Sequence, residues 1–214
     1  MFDQIEFLSR IGRLITMGQE RQAERDLLAA LSALTPADDT EHRIFLFNQL
    51  AQLYSLPTFE DLPKAEGCFL QCEALSPEPP TLLQTAMFYF CARRDFSATV
   101  SKVDEFRTRW GGSQGVSYYS AMALKGQALI ELGDIDGAGH VLDEMSAMVR
   151  SVPSGLPYGD ELNFLESAVS RPSLAERCCE VLRLTAPRIR SQEYADRAMA
   201  LLAECEKQGN TGTS

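Results

Sequence analysis

One pattern recurs along this chain: a helix carries a small residue between bulky ones, and the next helix carries a small residue with a bulky one a turn later. The two clearest copies are Phe47-x2-Leu50-Ala51-x2-Tyr54 with Ala65-x3-Phe69, and Met122-x2-Lys125-Gly126-x2-Leu129 with Ala138-x3-Leu142. Two helices that lie very close need a small residue where they touch and large residues around it. The pattern therefore predicts stacked pairs of helices, an architecture that usually binds proteins or peptides and rarely catalyses reactions.

The spacing of this pattern indicates a regular repeat. Gly12, Ala51, Met87 and Gly126 occupy corresponding positions at intervals of 39, 36 and 39 residues. Such intervals fit a unit of about 34 residues plus a few loop residues. Because helical periodicity is nearly continuous and strand-like alternation is absent from the sequence, we predict an all-α fold of about five antiparallel hairpins and a capping helix. The hairpins are expected near 3–34, 40–76, 81–109, 116–149 and 160–184, and the cap near 192–207.

These residues resemble the tetratricopeptide-repeat (TPR) family, best in the second and fourth hairpins and least in the third and fifth. The resemblance extends to about Pro187, with Lys125 at a usual Leu site and Thr99 at a usual Ala site. It implies a right-handed α-solenoid that binds a protein or peptide on the concave face, which the first helix of each pair lines. The alternative is another α-solenoid or an unrelated helical bundle. The motif encodes only helix packing and does not identify the partner.

A candidate peptide-binding groove follows from the register of the leading helices. Residues at i, i+4 and i+7 project together, and here that face is mostly uncharged and polar. The candidate groove residues are Arg13, Asn48, Gln52, Gln84, Phe88, Gln127 and Ile130. Side-chain amides can pair with an extended peptide backbone, and Phe88 is the expected aromatic anchor. The alternative is that these amides only tolerate solvent. A carboxylate clamp of the kind some family members use is not expected, since Gln84 stands where a cation is needed.

Charge and hydropathy limit the classes of partner. The net charge of −10 argues against nucleic acid, because affinity for phosphates comes mostly from Lys and Arg. It is compatible with a basic protein partner, but solubility is the commoner reason for such a charge. No apolar run approaches the roughly 20 residues that span a bilayer, and Asp3 and Glu6 stand where a signal peptide carries positive charge. We expect a cytoplasmic protein; a membrane-surface helix at 2–17 is the alternative.

The six cysteines lie within apolar helical patterns, where Cys behaves as a small hydrophobe. Cys68-x3-Cys72 lacks the second ligand pair of a structural zinc site. We therefore expect free thiols in a reducing compartment, with no metal and no cofactor. The adjacent Cys178 and Cys179 could include a reactive thiol, but a buried and a half-buried residue is the commoner arrangement.

The sequence predicts a non-catalytic interaction module, an adaptor, assembly factor or chaperone-like protein. No nucleophile motif or glycine-rich phosphate loop occurs. The alternative is an enzyme, or the helical regulatory part of one, with a site around His140, since Asp136 and Glu144 each lie one turn from it. We predict one domain at 1–207 with a weaker joint near 110–115, and a disordered tail at 208–214.

Overall fold

The computed structural model describes residues 4–35, 40–110, 116–152, 159 and 161–211. Over these ranges the fold is all-α, with eleven α-helices and no strand, as the sequence predicts. The helices are α1 (Gln4–Thr16), α2 (Glu20–Ala33), α3 (Thr40–Tyr54), α4 (Leu62–Leu75), α5 (Pro79–Phe88), α6 (Phe96–Trp110), α7 (Val116–Leu132), α8 (Ile135–Ser151), α9 (Leu162–Val169), α10 (Pro172–Thr185) and α11 (Gln192–Thr211). A π-helical turn, Tyr89–Arg93, follows α5, and a 3-10 turn, Ala186–Arg188, follows α10.

Local signals set where the paired helices begin and end. Gly133 has a φ of +78° between α7 and α8, a conformation that a side chain on Cβ disfavours. Asp134 then caps α8, because its Oδ1 accepts from the Gly137 amide at 2.9 Å. Arg94 ends the π-helical turn with a φ of +53°. Arg94 and Gly133 thus stand in the turns within the third and fourth hairpins.

The chain forms two compact units, Met1–Thr85 and Ala86–Ser214. In the first unit α1 packs on α2, α2 on α3, and α3 on α4. Ala23, Ala51 and Ala65 are fully buried, as the small-residue pattern predicts. Gly12 does not follow that pattern. It is exposed, and no atom beyond its own stretch of helix lies within 4 Å of the place where a Cβ would stand.

In the second unit, helices of the same kind stack on each other. The leading helix α7 packs on α9, and α9 packs on α11, while the second helices α8 and α10 pack together. Within each pair, α7 contacts α8 and α9 contacts α10. The terminal helix α11 covers α9 and α10, which is the position predicted for a capping helix.

Gly126 is a point of close contact between helices. A Cβ at Gly126 would lie 2.3 Å from Cζ of Phe164. Phe164 belongs to α9, so the nearest neighbour of Gly126 lies on the stacked leading helix, and the predicted contact with the paired helix α8 stays a prediction. Helix α8 instead buries Ala138 and Leu142 completely.

The third hairpin departs from the predicted register by one residue. Ala86 is 1% exposed and Met87 is 49% exposed, so Ala86 is the small packing residue. The π-helical turn that follows brings Phe90 within 5.3 Å of Phe96, centroid to centroid. Thr99 fits its alanine-type site, since its hydroxyl donates to a main-chain oxygen of the preceding turn at 2.9 Å. The local pattern was weak because the helix changes its period here.

Two boundary predictions fall partly outside the described residues. Residues 111–115 of the expected joint and 212–214 of the expected tail are outside them. Helix α11 extends to Thr211, beyond the end expected near Lys207. No helix among the described residues is long and apolar enough to cross a membrane.

Candidate protein-binding surfaces

Four of the seven candidate groove residues lie in the first unit. Arg13 and Gln52 are exposed, and the Arg13 guanidinium donates to the main-chain oxygen of Ser9 at 3.3 Å. The structure brings Asn48 and Gln84 together: Asn48 Nδ2 donates to Gln84 Oε1 at 3.1 Å, which links α3 to α5. Asn48 Oδ1 is buried and has no hydrogen-bond partner among the described residues.

The other three candidates lie in the second unit, and two of them are buried. Phe88 and Ile130 are each 5% exposed, and the Phe88 ring packs 5.7 Å from that of Tyr89. Neither side chain is accessible as an anchor for a partner, which corrects the prediction. Both are large apolar residues, and burial of such side chains outweighs the polar character of the face on which the register places them. Gln127 is half-buried.

Sequence reasoning missed an apolar groove in the first unit, between α2 and α4 with α3 as its floor. Its volume is about 360 Å³. The lining residues are Leu28 and Leu31 of α2, Phe47, Leu50 and Tyr54 of α3, and Lys64, Gly67, Cys68 and Gln71 of α4. No residue pattern in α2 or α4 predicts the groove, because the groove depends on the distance between these two helices.

The groove exists because α2 and α4 do not close on each other. In the second unit the corresponding helices α8 and α10 pack directly together, whereas α2 and α4 share no comparable interface. Leu28 remains 41% exposed at the edge. Gly67 is exposed inside a helix, and no atom beyond its own stretch of helix lies within 4 Å of the place where its Cβ would be. Glycine costs a helix interior roughly 0.5–1 kcal/mol relative to alanine, and no close contact within the described chain explains that cost.

Ordered polar contacts close one end of the groove. The Tyr54 hydroxyl donates to Glu24 Oε1 at 3.0 Å, and Lys64 Nζ lies 2.8 Å from Asp61 Oδ2 and 3.8 Å from Glu24 Oε1. Burial, and then Glu24, raise the pKa of Tyr54 above its usual 10.0, so the phenol stays a donor. Burial also raises the pKa of the Cys68 thiol to about 11. The lining is therefore neutral at physiological pH except at this end.

The apolar groove and the predicted amide face are different sides of α3. Phe47, Leu50 and Tyr54 face the groove, whereas Asn48 and Gln52 belong to the predicted face. At about 100° of rotation per residue, the two sets point roughly 140° apart. Substitutions can therefore test the two surfaces separately.

His140 is exposed, and two carboxylates near it on α8 are engaged with other helices. Asp143 pairs with Arg177 of α10 at 3.2 Å. Glu144 accepts from the Tyr118 hydroxyl at 2.9 Å and from an arginine of α6 at 3.3 Å. These two carboxylates link helices to each other. Among the described residues, no three metal-ligating side chains are grouped so that they could hold an ion.

Comparison with solved structures supports the fold. BtubC (BKLC) from P. vanneervenii matches with a TM-score of 0.57 and 15% sequence identity, covering 95% of this chain and 78% of that one. PilW, a widely conserved type IV pilus biogenesis factor, aligns with a TM-score of 0.46 and 15% identity, covering 100% of this chain and 96% of that one. No protein-family model matches the sequence, and no curated protein does. The likeness to BtubC shows an all-α helical-repeat fold and nothing about function.

Proposed function

We propose that this protein is a TPR-type, non-catalytic interaction module that binds a segment of another protein in the groove between α2 and α4. The observation that carries the proposal is an open, largely apolar groove that the protein's own helices leave unfilled. Exposed apolar surface of this kind is a common mark of a protein-binding site. Its volume of about 360 Å³ is at the low end for an enclosed small-molecule pocket, roughly 300–1,000 Å³, and suits a few side chains from a partner.

The proposed occupant is an amphipathic α-helix. A gap between two helices above a third is the space that a further helix fills when helices pack in layers. Helix-in-groove recognition uses apolar side chains at i, i+3, i+4 and i+7, which suits the row formed by Leu28 and Leu31. Gly67 offers no side chain on the opposite wall, so the backbone of the partner can approach α4 closely. With a net charge of −10, the protein attracts a helix whose outer face is basic, and added salt slows that encounter.

The decisive experiment fills the groove without unfolding the protein. Gly67→Gln places a long side chain in the groove, and replacing an exposed helical glycine adds helix propensity of about 1 kcal/mol. Gly12→Gln is the matched control, because Gly12 is also exposed in a helix with open space at its Cβ and does not line the groove. We expect Gly67→Gln to reduce the amount of captured partner at least tenfold and Gly12→Gln to leave it unchanged. The same comparison is then made for the affinity of each variant for the purified partner.

A second measurement identifies the occupant. A photo-reactive residue in place of Leu28 should crosslink to the apolar side of one helix of the partner. Crosslinks to an extended or polar segment contradict the proposed helix. If Gly67→Gln binds normally while Gln52→Ala abolishes binding, the amide face is the site and the groove is not. Two other parts of the proposal need separate tests. Thermal-shift screening with metals and nucleotides tests the proposed absence of catalysis, and cell fractionation tests the proposed cytoplasmic location.

A further inference from the structure

Helix α1 carries a second apolar face that the described part of the chain leaves largely uncovered. The helix packs on α2 and buries Phe7 and Ile11. A second row of residues, here called the α1 stripe, lies roughly 100° around the helix from these two. Its members are Ile5, Leu8, Gly12 and Ile15. Ile5 is 80% exposed and Leu8 is 37% exposed, and the space at Gly12 is open.

The matching place on a later leading helix is covered. Gly126 corresponds to Gly12 in the repeat, and the Phe164 ring of α9 lies against it. Helix α1 shares no interface with α3, among the described residues, that compares with the interface of α7 and α9. Terminal repeats of a helical stack normally turn a polar face to solvent. An apolar row on an end helix therefore indicates an interaction surface.

The α1 stripe is complementary to itself. Ile5 and Ile15 are each five positions from residue 10, and Leu8 and Gly12 are each two positions from it. When two such helices lie antiparallel about a two-fold axis at residue 10, Leu8 of each copy faces Gly12 of the other, and Ile5 faces Ile15. A bulky residue then lies opposite a small one at both crossings, as close helix packing requires. A parallel pair would set Leu8 against Leu8 and leave a gap between the two glycines.

The charges of α1 favour the same orientation. Glu6 and Arg13 are exposed and lie on one side of the helix, beyond the edge of the α1 stripe. In the antiparallel pair, Glu6 of one copy and Arg13 of the other stand on the same side, about 1.5 Å apart along the helix axis. A parallel pair would bring Arg13 beside Arg13. Such exposed charges add little affinity, but they select between the two orientations.

We propose that the α1 stripe is a self-association surface, on which the α1 helix of a second copy of this chain lies antiparallel about a two-fold axis at residue 10. Helix α1 has 13 residues and is about 20 Å long, so the contact belongs to the small, reversible class of interface. No residue of the α1 stripe lines the groove between α2 and α4. The proposal therefore stands apart from the proposed function, and a dimer would offer two grooves to a partner.

Sedimentation equilibrium of the full-length protein, over a range of concentrations, tests the surface. We expect a reversible monomer–dimer equilibrium whose dissociation constant rises by roughly tenfold or more with Leu8→Glu, because a charge would be buried without a partner. Ile5→Glu should act in the same way, and the high exposure of Ile5 means that this change leaves the fold intact. Leu70→Glu is the matched control, since Leu70 of α4 is 43% exposed and lies outside both the α1 stripe and the groove.

Cysteine pairs test the orientation. The exposed Cys91 is first replaced by Cys91→Ser, and two variants, Leu8→Cys and Gly12→Cys, are made in that background. Mixed together with oxidised glutathione, these variants should form a disulfide-linked heterodimer, because residue 8 of one copy faces residue 12 of the other. Each variant alone should give at least tenfold less linked dimer. Self-linkage of either variant at the rate of the mixture would overturn the antiparallel arrangement.

Three other outcomes would overturn the proposal. Wild-type protein that stays monomeric at all concentrations has no such surface, and binding of that monomer to anionic lipid vesicles through Leu8 would make the stripe a membrane contact instead. A dimer that Ile5→Glu and Leu8→Glu leave unchanged uses another surface. A dimer that Gly67→Gln dissociates has a second copy in the groove. Gly12→Gln should dissociate the dimer and leave partner binding in the groove, so a failure of this proposal is distinguishable from a failure of the proposed function.

Discussion

Gly126→Ala should destabilise the protein although alanine is the better helix former. In an exposed helix the exchange stabilises by about 1 kcal/mol. Here the new Cβ would meet Cζ, Cε1 and Cε2 of Phe164 at 2.3, 2.5 and 2.6 Å, about 1 Å inside an ordinary contact. Phe164 is 1% exposed, so its ring has no open space into which to turn. Overpacking of this kind costs roughly 1–3 kcal/mol. Because three ring atoms collide, we take the upper value and expect a net loss of about 2 kcal/mol.

Urea unfolding followed by far-ultraviolet circular dichroism measures this loss directly. Gly126→Ala should lower the midpoint without changing the slope, and Gly126→Leu should lower it further. Phe164→Leu removes the colliding end of the ring, so in that background Gly126→Ala should cost clearly less. This coupling is the signature of direct contact. An unchanged or higher midpoint for Gly126→Ala, or equal costs in both backgrounds, would refute the packing of α7 against α9 described above.

Three further predictions use the same unfolding measurement. Gly67→Ala should raise stability by about 1 kcal/mol, because nothing surrounds its Cβ; a loss would mean that the groove is narrower than described. Asp134→Ala should cost about 1 kcal/mol, since it removes the cap on the Gly137 amide, and Asp134→Asn should retain most of it. Burial, and then Glu144, raise the pKa of Tyr118 from 10.0 to about 12. Stability from this hydroxyl is therefore complete below pH 10 and falls toward pH 12, and Tyr118→Phe should reduce that alkaline loss.

The fold was predictable because helix packing leaves a strong trace in the sequence. Two helices in contact need a small residue at the crossing, and Ala23, Ala51, Ala65 and Ala138 are all fully buried. Proline, glycine and capping aspartate mark the turns independently of the core. The small buried residues and the turn residues agree over most of the chain. Together they predict the helices and the turns between them, such as those at Arg94-Asp95 and Gly133-Asp134.

The predictions that failed depend on rotation and spacing between helices. Met87 was predicted as the packing residue of the third hairpin, whereas the observed one is its neighbour Ala86. Both positions fit an approximate 3.6-residue period. The close contact of Gly126 with Phe164 of α9 was not predicted, since a small residue marks a crossing but does not identify every helix that crosses there. Gly12 shows that a small residue in the right position does not need to pack at all.

The candidate surfaces were harder to predict for the same reason. Gln52 and Arg13 are exposed, and Asn48 lies beside Gln84, but whether this face binds a partner stays a prediction. The register could not show that Phe88 and Ile130 turn inward. The apolar groove has no sequence signal beyond Gly67, an exposed helical glycine, and glycine in that position has several explanations until the surrounding space is known.

Helix α3 shows how one repeat can combine a structural and a binding role. Its fully buried residues, such as Ala51, face the neighbouring helices, and two other sides remain for other uses. On one side Asn48 holds Gln84 with its amide nitrogen while its oxygen is buried without a partner in the described chain. Such an atom costs about 1–3 kcal/mol, more than a typical surface hydrogen bond returns. On the other side lies the apolar groove, at whose edge Leu28 of α2 remains 41% exposed. Both features oppose stability of the isolated protein, and a bound partner that covered the groove would remove only the second. Binding to either surface raises the stability by an amount that depends on the concentration and affinity of the partner, so the two surfaces are distinguished by whether Gln52→Ala or Gly67→Gln removes that increase.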